Sequence, residues 1–301
     1  MNPMNHSKLE LPGREPLFTR KGWTAFLVAL LFVCLCVPLM NLMVPEGHWL
    51  HFSDYAVSLV GKIMCYAICA LAMDLIWGYT GILSLGHGFF FAIGGYAMGM
   101  YLMRQIGTDG NYKSNLPDFM VFLDWKELPW HWAFSDSFVA TLLLIVLVPA
   151  VVSGVFGYFA FRSRIKGVYF SIITQAIRDA ETRVMFSGYS PLPYKLSIWV
   201  ISAVMCGVAG ALYVPQVGII NPGEMSPANS IEIAVWAAVG GRGSLIGPVV
   251  GAFLVNGAKS WLTVTAPEFW LYFLGALFIA VTLFLPKGVV GLVQRLKGGR
   301  T

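Results

Sequence analysis

SFVATLLLIVLVPAVVSGVFGYFAF, residues 137–161, carries no charged side chain along its whole length. As a helix it would rise about 37 Å, more than the roughly 30 Å of a bilayer's hydrocarbon core, so it is expected to cross a membrane. Arg162, Arg164 and Lys166 follow at once. The next apolar piece, GVYFSIITQAI from Gly167 to Ile177, would rise only about 16 Å and cannot cross. Basic residues flank it on both sides, which puts its two ends on one face of the membrane. It re-enters, lies at the interface, or lacks sequence that once completed a span.

Beyond it lies IRDAETRVMFSGYSPLPYK, Ile177 to Lys195. Arg178, Asp179, Glu181 and Arg183 crowd its start, while Ala180, Val184 and Met185 can form a narrow apolar face. This predicts a short amphipathic helix, stopped at Gly188 and barred from continuing by Pro191 and Pro193. Such an element suits docking to a soluble partner; an ordinary solvated loop has the same local pattern.

Long apolar runs recur on both sides. Gly22 to Met40, Asp54 to about Ile76, Gly78 to Met103, Leu196 to Val214 and Glu268 to Leu285 each read as a span. A shorter apolar piece, Ser230 to Val239, leads into GGRGSLIGPVVGAFLVNGAKSW. Hydrophobic residues make up 57% of the chain and charged residues 12%, with a mean hydropathy of +0.70. Soluble domains carry roughly twice that charge. The fold class is therefore all-α: a polytopic transmembrane helix bundle of about eight spanning helices plus one short re-entrant or interfacial segment. A β-barrel is disfavoured because the apolar runs are continuous rather than alternating.

Placing Lys and Arg clusters inside gives eight crossings with both termini cytoplasmic. The expected organisation is a cytoplasmic tail over residues 1–21, one transmembrane domain over 22–288 with its cytoplasmic segment at 177–195, and a basic cytoplasmic tail over 289–301. The expected location is the inner (plasma) membrane, among membrane lipid.

Several chemistries drop out. A net charge of +5, dispersed between spans, does not suggest nucleic acid. Cys34, Cys36, Cys65, Cys69 and Cys206 all lie in apolar segments and read as small core residues. His48 and His51 have no third ligand nearby, so no metal is expected. There is no phosphate-binding loop, since Gly257-Ala258-Lys259-Ser260 lacks the glycine required before the lysine. No nucleophile–base pair stands out, and neither a catalytic residue nor a cofactor is assigned.

Candidate pathway residues come from the glycines and the buried charges. Gly78, Gly81 and Gly86 interrupt one apolar segment, and Gly240, Gly243 and Gly247 interrupt another in the second half. Discontinuous helices expose backbone groups at mid-membrane that can hydrogen-bond small polar solutes; close helix packing explains the same glycines equally well. Gly95-x-x-x-Gly99 supplies a close-contact face. Ionisable residues within spans are pathway candidates. Glu232 and His87 are the best placed. Asp74 and Lys259 sit near span ends, where side chains can reach water, and Lys62 suits an ion pair with a neighbouring helix as well as a function.

GYTGILSLGHGFFFAIGGYAMGMYLMRQIG, RDAETRVMFSGY, YKLSIWVISAVMCGVAGALY and NSIEIAVWAAVGGRGSLIGPVVGAFLVNGAKS resemble the LivM-type permeases of branched-chain amino-acid ABC transporters. YVPQVGIINPGEMSPANSIEIAVWAAVGGRG and PEFWLYFLGALFIAVTLFLPKGVVGL resemble the urea-transport branch more closely still. The resemblance implies a permease subunit that pairs with a second permease subunit as a heterodimer. Two cytoplasmic ATPase subunits would drive it and a periplasmic substrate-binding protein would feed it. It also implies that Arg178, Asp179, Glu181, Arg183, Phe186 and Gly188 belong to the segment that couples to an ATPase. The implied cargo is urea or a short amide, with branched-chain amino acids as the alternative within the class. A stand-alone channel or secondary transporter is the alternative outside it. In the family, the segment resembling GVYFSIITQA continues through a span, an external loop and a returning helix. Here Ala176 runs directly into Ile177-Arg178-Asp179, as if that block were deleted.

Overall fold

The computed structural model describes residues 20–45, 47–48, 50–110, 113–114, 116–162, 192–284 and 288–292. Two compact units divide the chain, 1–57 and 58–301. In the first, α1 (Arg20–Leu31) passes through a π-helical turn, Phe32–Cys36, into α2 (Val37–Met43). Pro38 explains the turn: it has no N–H for the carbonyl four residues back, and a locally widened helix relieves that mismatch. The apolar run Leu27–Met43 matches the first expected span.

The second unit takes in most of α3 (Asp54–Thr80), then α4 (His87–Ile106), α5 (Asp118–Phe122), α6 (Phe138–Arg162) and α7 (Leu192–Val217). It closes with α8 (Pro227–Gly240), α9 (Gly247–Thr265) and α10 (Trp270–Phe284). The architecture is an all-α polytopic bundle, with no strand among the described residues. Asp54–Gly78, Phe138–Arg162 and Leu192–Val217 are long and apolar enough to cross a membrane, and Pro267–Val281 is a shorter apolar stretch.

The helix that Pro191 and Pro193 were expected to bar from continuing lies outside the described residues, and Pro193 itself belongs to the next helix. It sits in the first turn of α7, where a missing N–H breaks no intrahelical bond.

Side-chain contacts set the helix directions. Along α7, Trp199 donates from Nε1 to the Ser153 carbonyl of α6 at 3.0 Å, and Gly207 lies against Pro149. The two helices are therefore antiparallel, and Arg162 and Leu192 lie at the same end of the bundle. On α3, Gly61 meets Gln216 and Tyr66 meets Tyr213, so α3 is also antiparallel to α7. On α4, His87 meets Ser202, Gly94 meets Gly207 and Gly99 meets Val214, so α4 runs parallel to α7.

The α4–α7 seam requires glycine. A Cβ at Gly94 would fall 1.8 Å from the Gly207 carbonyl oxygen, and one at Gly210 would fall 1.8 Å from that of Phe91. Small residues let two backbones touch where lipid supplies no hydrophobic driving force. The expected Gly95–Gly99 face is only half used. Gly95 is in the seam, but Gly99 has its nearest neighbours at 3.8 Å, because Gly94 rather than Gly99 completes the contact.

The chain after α7 doubles back along α4. Ile220 lies against Gly95 and Gly99, and the carbonyl of Glu224 lies against Gly88, three turns earlier on the same helix. Ser226 then caps α8, its hydroxyl accepting from the Asn229 N–H at 3.4 Å. Trp236 of α8 is buried against Tyr66, which anchors this helix in the core shared by α3, α4 and α7.

Candidate functional site

Both glycine-rich interruptions are real breaks. Helix is absent over 81–86, between α3 and α4, and over 241–246, between α8 and α9. The two breaks are tied together. Asp74, one turn from Gly78, accepts the Gly243 N–H on Oδ1 at 2.8 Å, and a Cβ on Gly78 would collide with that same nitrogen. The Arg242 guanidinium lies 4.5 Å from the centre of the Trp77 ring. Asp74 is thus buried in a backbone tie and does not reach water as the sequence suggested. Gly243 donates from a positive-φ turn (φ +72), where a side chain would strain the backbone.

At the other end of the first break, the Gly88 N–H donates to Ser230 Oγ at 3.0 Å. Residues 81–86 therefore pass from the Gly243 end of α8 to its Ser230 end, with Ile82 and Ser84 buried. Non-helical backbone at membrane depth is stable only when buried in protein or lining a cavity. This segment turns Ile82 and Ser84 into the bundle and leaves Leu85 exposed on its outer side. Gly81 has φ +73, and Gly86 leads into α4 and takes a bond from its N–H to Ser84 Oγ at 3.2 Å.

Gly240 and Gly247 have a packing role. A Cβ on Gly240 would fall 1.6 Å from the Gly247 carbonyl oxygen, so the end of α8 and the start of α9 are in backbone contact.

Glu232 is not free. Lys259 of α9 donates to Oε1 at 2.7 Å and to Oε2 at 2.9 Å, and its ammonium also lies 5.4 Å from the Trp270 ring centre. Lys259 keeps about a third of its side chain exposed, as its expected reach to water requires, while its ammonium pairs with a largely buried carboxylate (side-chain exposure 35% against 11%). His87 is fully buried. Its Nε2 lies 3.0 Å from Ser202 Oγ, and its ring stands edge-on to Trp199 at 5.6 Å. Ser202 Oγ donates to the Trp199 carbonyl, so His87 Nε2 carries the proton and Nδ1 has no partner among the described residues. Glu232 and His87 are held by different helices, the first by α9 and the second by α7.

A second cluster was not assembled by sequence reasoning. Tyr66 and Tyr213 meet through their hydroxyls at 3.4 Å, and Lys62, one turn before Tyr66, holds its ammonium 5.7 and 5.8 Å from the two ring centres. The doubled-back chain brings Glu224 to this place. Asn229 Nδ2 donates to its Oε2 at 2.7 Å and to its carbonyl at 3.1 Å. Burial pushes the Glu224 carboxyl above its ordinary value, while Lys259 and Lys62 act to lower it. Lys62 within a span was a visible signal, whereas Glu224 lies in a Pro- and Gly-containing loop that reads as solvated.

The proposed coupling residues Arg178, Asp179, Glu181, Arg183, Phe186 and Gly188 lie outside the described residues, as does the short piece at 167–177. Among the described residues no group of three or more His, Cys, Asp or Glu side chains could hold a metal ion.

The family described as "Branched-chain amino acid transport system / permease component" matches residues 55–177 and 172–282. The chain is 24% identical to the high-affinity branched-chain amino acid transport system permease protein LivM of Salmonella typhimurium, over 91% of this chain and 77% of the relative. The LivM protein of Escherichia coli gives the same identity and coverage. The fructose import permease protein FrcC of Rhizobium meliloti is 26% identical over 38% of this chain and 33% of its own length. The Salmonella alignment extends over 346 positions, more than the 301 residues present here, so the relative carries sequence with no counterpart in this chain. No solved structure matches the chain.

Proposed function

Because the chain belongs to the family of branched-chain amino acid transport system permease components, we propose that it is the membrane-crossing subunit of an ATP-driven importer for urea or a short amide. It works with a second permease subunit, two cytoplasmic ATPase subunits and a periplasmic substrate-binding protein, in the inner membrane with both termini inside. The observation that carries the substrate class is the Glu232–Lys259 pair. The two charges cancel, which leaves the route beside the broken helices without a net fixed charge at this point. A neutral solute with N–H donors and one carbonyl acceptor suits that arrangement, aided by backbone groups at 81–86 and 241–246.

A branched-chain amino acid is the second reading. The names of the LivM relatives favour it. A zwitterion needs a cationic and an anionic contact, and Lys62 and Glu224 offer both.

The ends of α6 and α7 support the docking role of 177–195. They lie together, so the connection between them starts and finishes on one side of the bundle. Two observations support a missing block near Ala176: the two matched stretches of the family meet at 172–177, and the alignment with LivM outruns this chain. The test is ATP-dependent uptake of radiolabelled urea and leucine by cells that express the chain with its partner subunits. Urea uptake that needs ATP hydrolysis supports the reading. Leucine uptake alone favours the second reading, and uptake with no ATPase subunit present overturns both. Cysteines at Thr182 and Phe186 should crosslink to an ATPase subunit; labelling of either from the periplasmic side would remove the coupling role.

A further inference from the structure

The loop that doubles back after α7 does more than connect helices. It carries a carboxylate to the bundle, to a place where α3, α7 and α8 present polar groups that their own packing does not use. Glu224 Oε2 is occupied by Asn229, while Oε1 has no hydrogen-bond partner among the described residues. Lys62 makes neither a hydrogen bond nor an ion pair among the described residues; it stands over two tyrosine rings with its N–H groups unspent. Tyr66 and Tyr213 share one hydroxyl–hydroxyl bond, which consumes one proton and leaves the pair one O–H to donate. Trp236, only 1% exposed and 4.7 Å from Tyr66 between ring centres, has an indole N–H with no partner among the described residues.

Four of these features point to a ligand. Four elements gather donors (Lys62, one tyrosine O–H, the Trp236 N–H) and an acceptor (Glu224 Oε1). Lys62 and Glu224 are half-buried and open to an arriving solute, while the Trp236 N–H is buried with no partner among the described residues, where such groups are normally satisfied. We infer that Glu224, Lys62 and the Tyr66–Tyr213 pair form a solute-binding station at the tip of the doubled-back loop. It takes a small molecule by a carbonyl or carboxylate oxygen on Lys62 and the tyrosine O–H, and by its N–H groups on Glu224. The rings of Tyr66, Phe91, Tyr213 and Trp236 pack directly on one another, 4.7 to 6.0 Å between centres, and form one apolar surface beside these polar groups. Urea and an amino acid both offer this pairing of oxygen and N–H. The station rests on the reading of the chain as a transport subunit and deepens it, because it places substrate selection at Lys62 and Glu224 rather than at the self-paired Glu232.

The test uses the full chain with its partner subunits. Lys62→Met and Glu224→Leu are expected to lower uptake by about tenfold or more, the loss of a hydrogen bond to a charged group, with partner copurification unchanged. Lys62→Gln separates the two sources of ligand. It restores an N–H donor without charge, so it recovers much of the urea uptake lost in Lys62→Met but none of the leucine uptake. Uptake within about twofold of the parent in both truncating variants, less than one such bond is worth, overturns the station.

Where a truncation also loses its partners, Tyr213→Phe keeps the ring and removes only the O–H. It is expected to raise the half-saturating solute concentration about fivefold, and an unchanged value counts against the station. If the parent takes up neither solute, the transport reading fails while the station remains open to a direct measurement. With Cys34→Ser and Cys36→Ser in place, excess urea or leucine slows modification of Gly223→Cys, beside Glu224 and with open space for a side chain, by a membrane-impermeant thiol reagent. A rate indifferent to both solutes rejects the station by itself.

Discussion

Lys259 of α9 donates from Nζ to both carboxylate oxygens of Glu232 of α8, at 2.7 and 2.9 Å, 27 positions apart in the chain. Each charge is the main reason the other is tolerated. Removing one strands the other in a low-dielectric site, whereas removing both leaves neither stranded. Glu232→Leu is therefore expected to harm folding and uptake more than Glu232→Gln, which keeps an acceptor oxygen for Lys259. The double variant Glu232→Gln/Lys259→Met should be milder than the sum of its singles, by a coupling of about 1–2 kcal/mol. Thermal unfolding in detergent and urea uptake, measured on all four variants, check this; strict additivity would show that the pair is not energetically coupled.

The glycine seam gives a second contrast. Gly94→Ala and Gly240→Ala each drive a Cβ into a backbone carbonyl oxygen, at 1.8 and 1.6 Å, which no side-chain rotation can relieve. Each should cost about 3 kcal/mol or more, since overpacking that must move backbone lies at or beyond the usual range. Gly275→Ala in α10 meets nothing within 4 Å and is the matched control, expected to be neutral or slightly stabilising. The folded fraction after detergent extraction, followed by size-exclusion chromatography, separates the two outcomes.

Glu224 sets a pH dependence whose sign is fixed. Burial raises its carboxyl above the ordinary value of 4.5, with Lys259 and Lys62 opposing and Glu232 reinforcing the rise. Tyr66, Tyr96 and Tyr213 also lie within its electrostatic reach. The acceptor form of the station is lost on acidification, at a higher pH than for a free carboxyl. Lys62 stabilises the ionised form, so Lys62→Met should move the acid limb of uptake to still higher pH. Because the folded-state value is raised, the group's contribution to stability runs the other way: it is greatest below the unfolded carboxyl's range and is lost as pH rises through the raised value. An acid limb that shifts downward in Lys62→Met would contradict this electrostatic assignment.

The junction after Ala176 makes a fourth prediction. If a there-and-back pair of helices is missing, insertion and topology survive while the walls that pack against a partner are incomplete. The chain should then reach the membrane with both termini inside but associate poorly with its partner permease. Splicing the corresponding block of a full-length relative between Ala176 and Ile177 should raise both association and uptake. Equal uptake with and without the block would show that it is dispensable.

Composition and apolar run length were enough to establish the class. Residues 137–161 have one stable solution in a bilayer, a single helix, because backbone N–H and C=O groups find no other partners there. The glycines also announced where helices break, at 81–86 and 241–246, since runs of glycine forfeit both helix propensity and side-chain packing. The sequence could not show which residues meet across those breaks. Asp74 and Gly243 are 169 positions apart and Glu232 and Lys259 are 27, and each pair exists only because helix directions and register bring them face to face. Glu224 is the sharpest case. Its local sequence reads as a solvated loop, and only the doubling back along α4, permitted by the bare backbone at Gly88 and Gly95, carries its charge into the bundle. Pattern along a chain encodes which face is apolar, but a buried polar contact depends on three-dimensional proximity, which no local spacing contains.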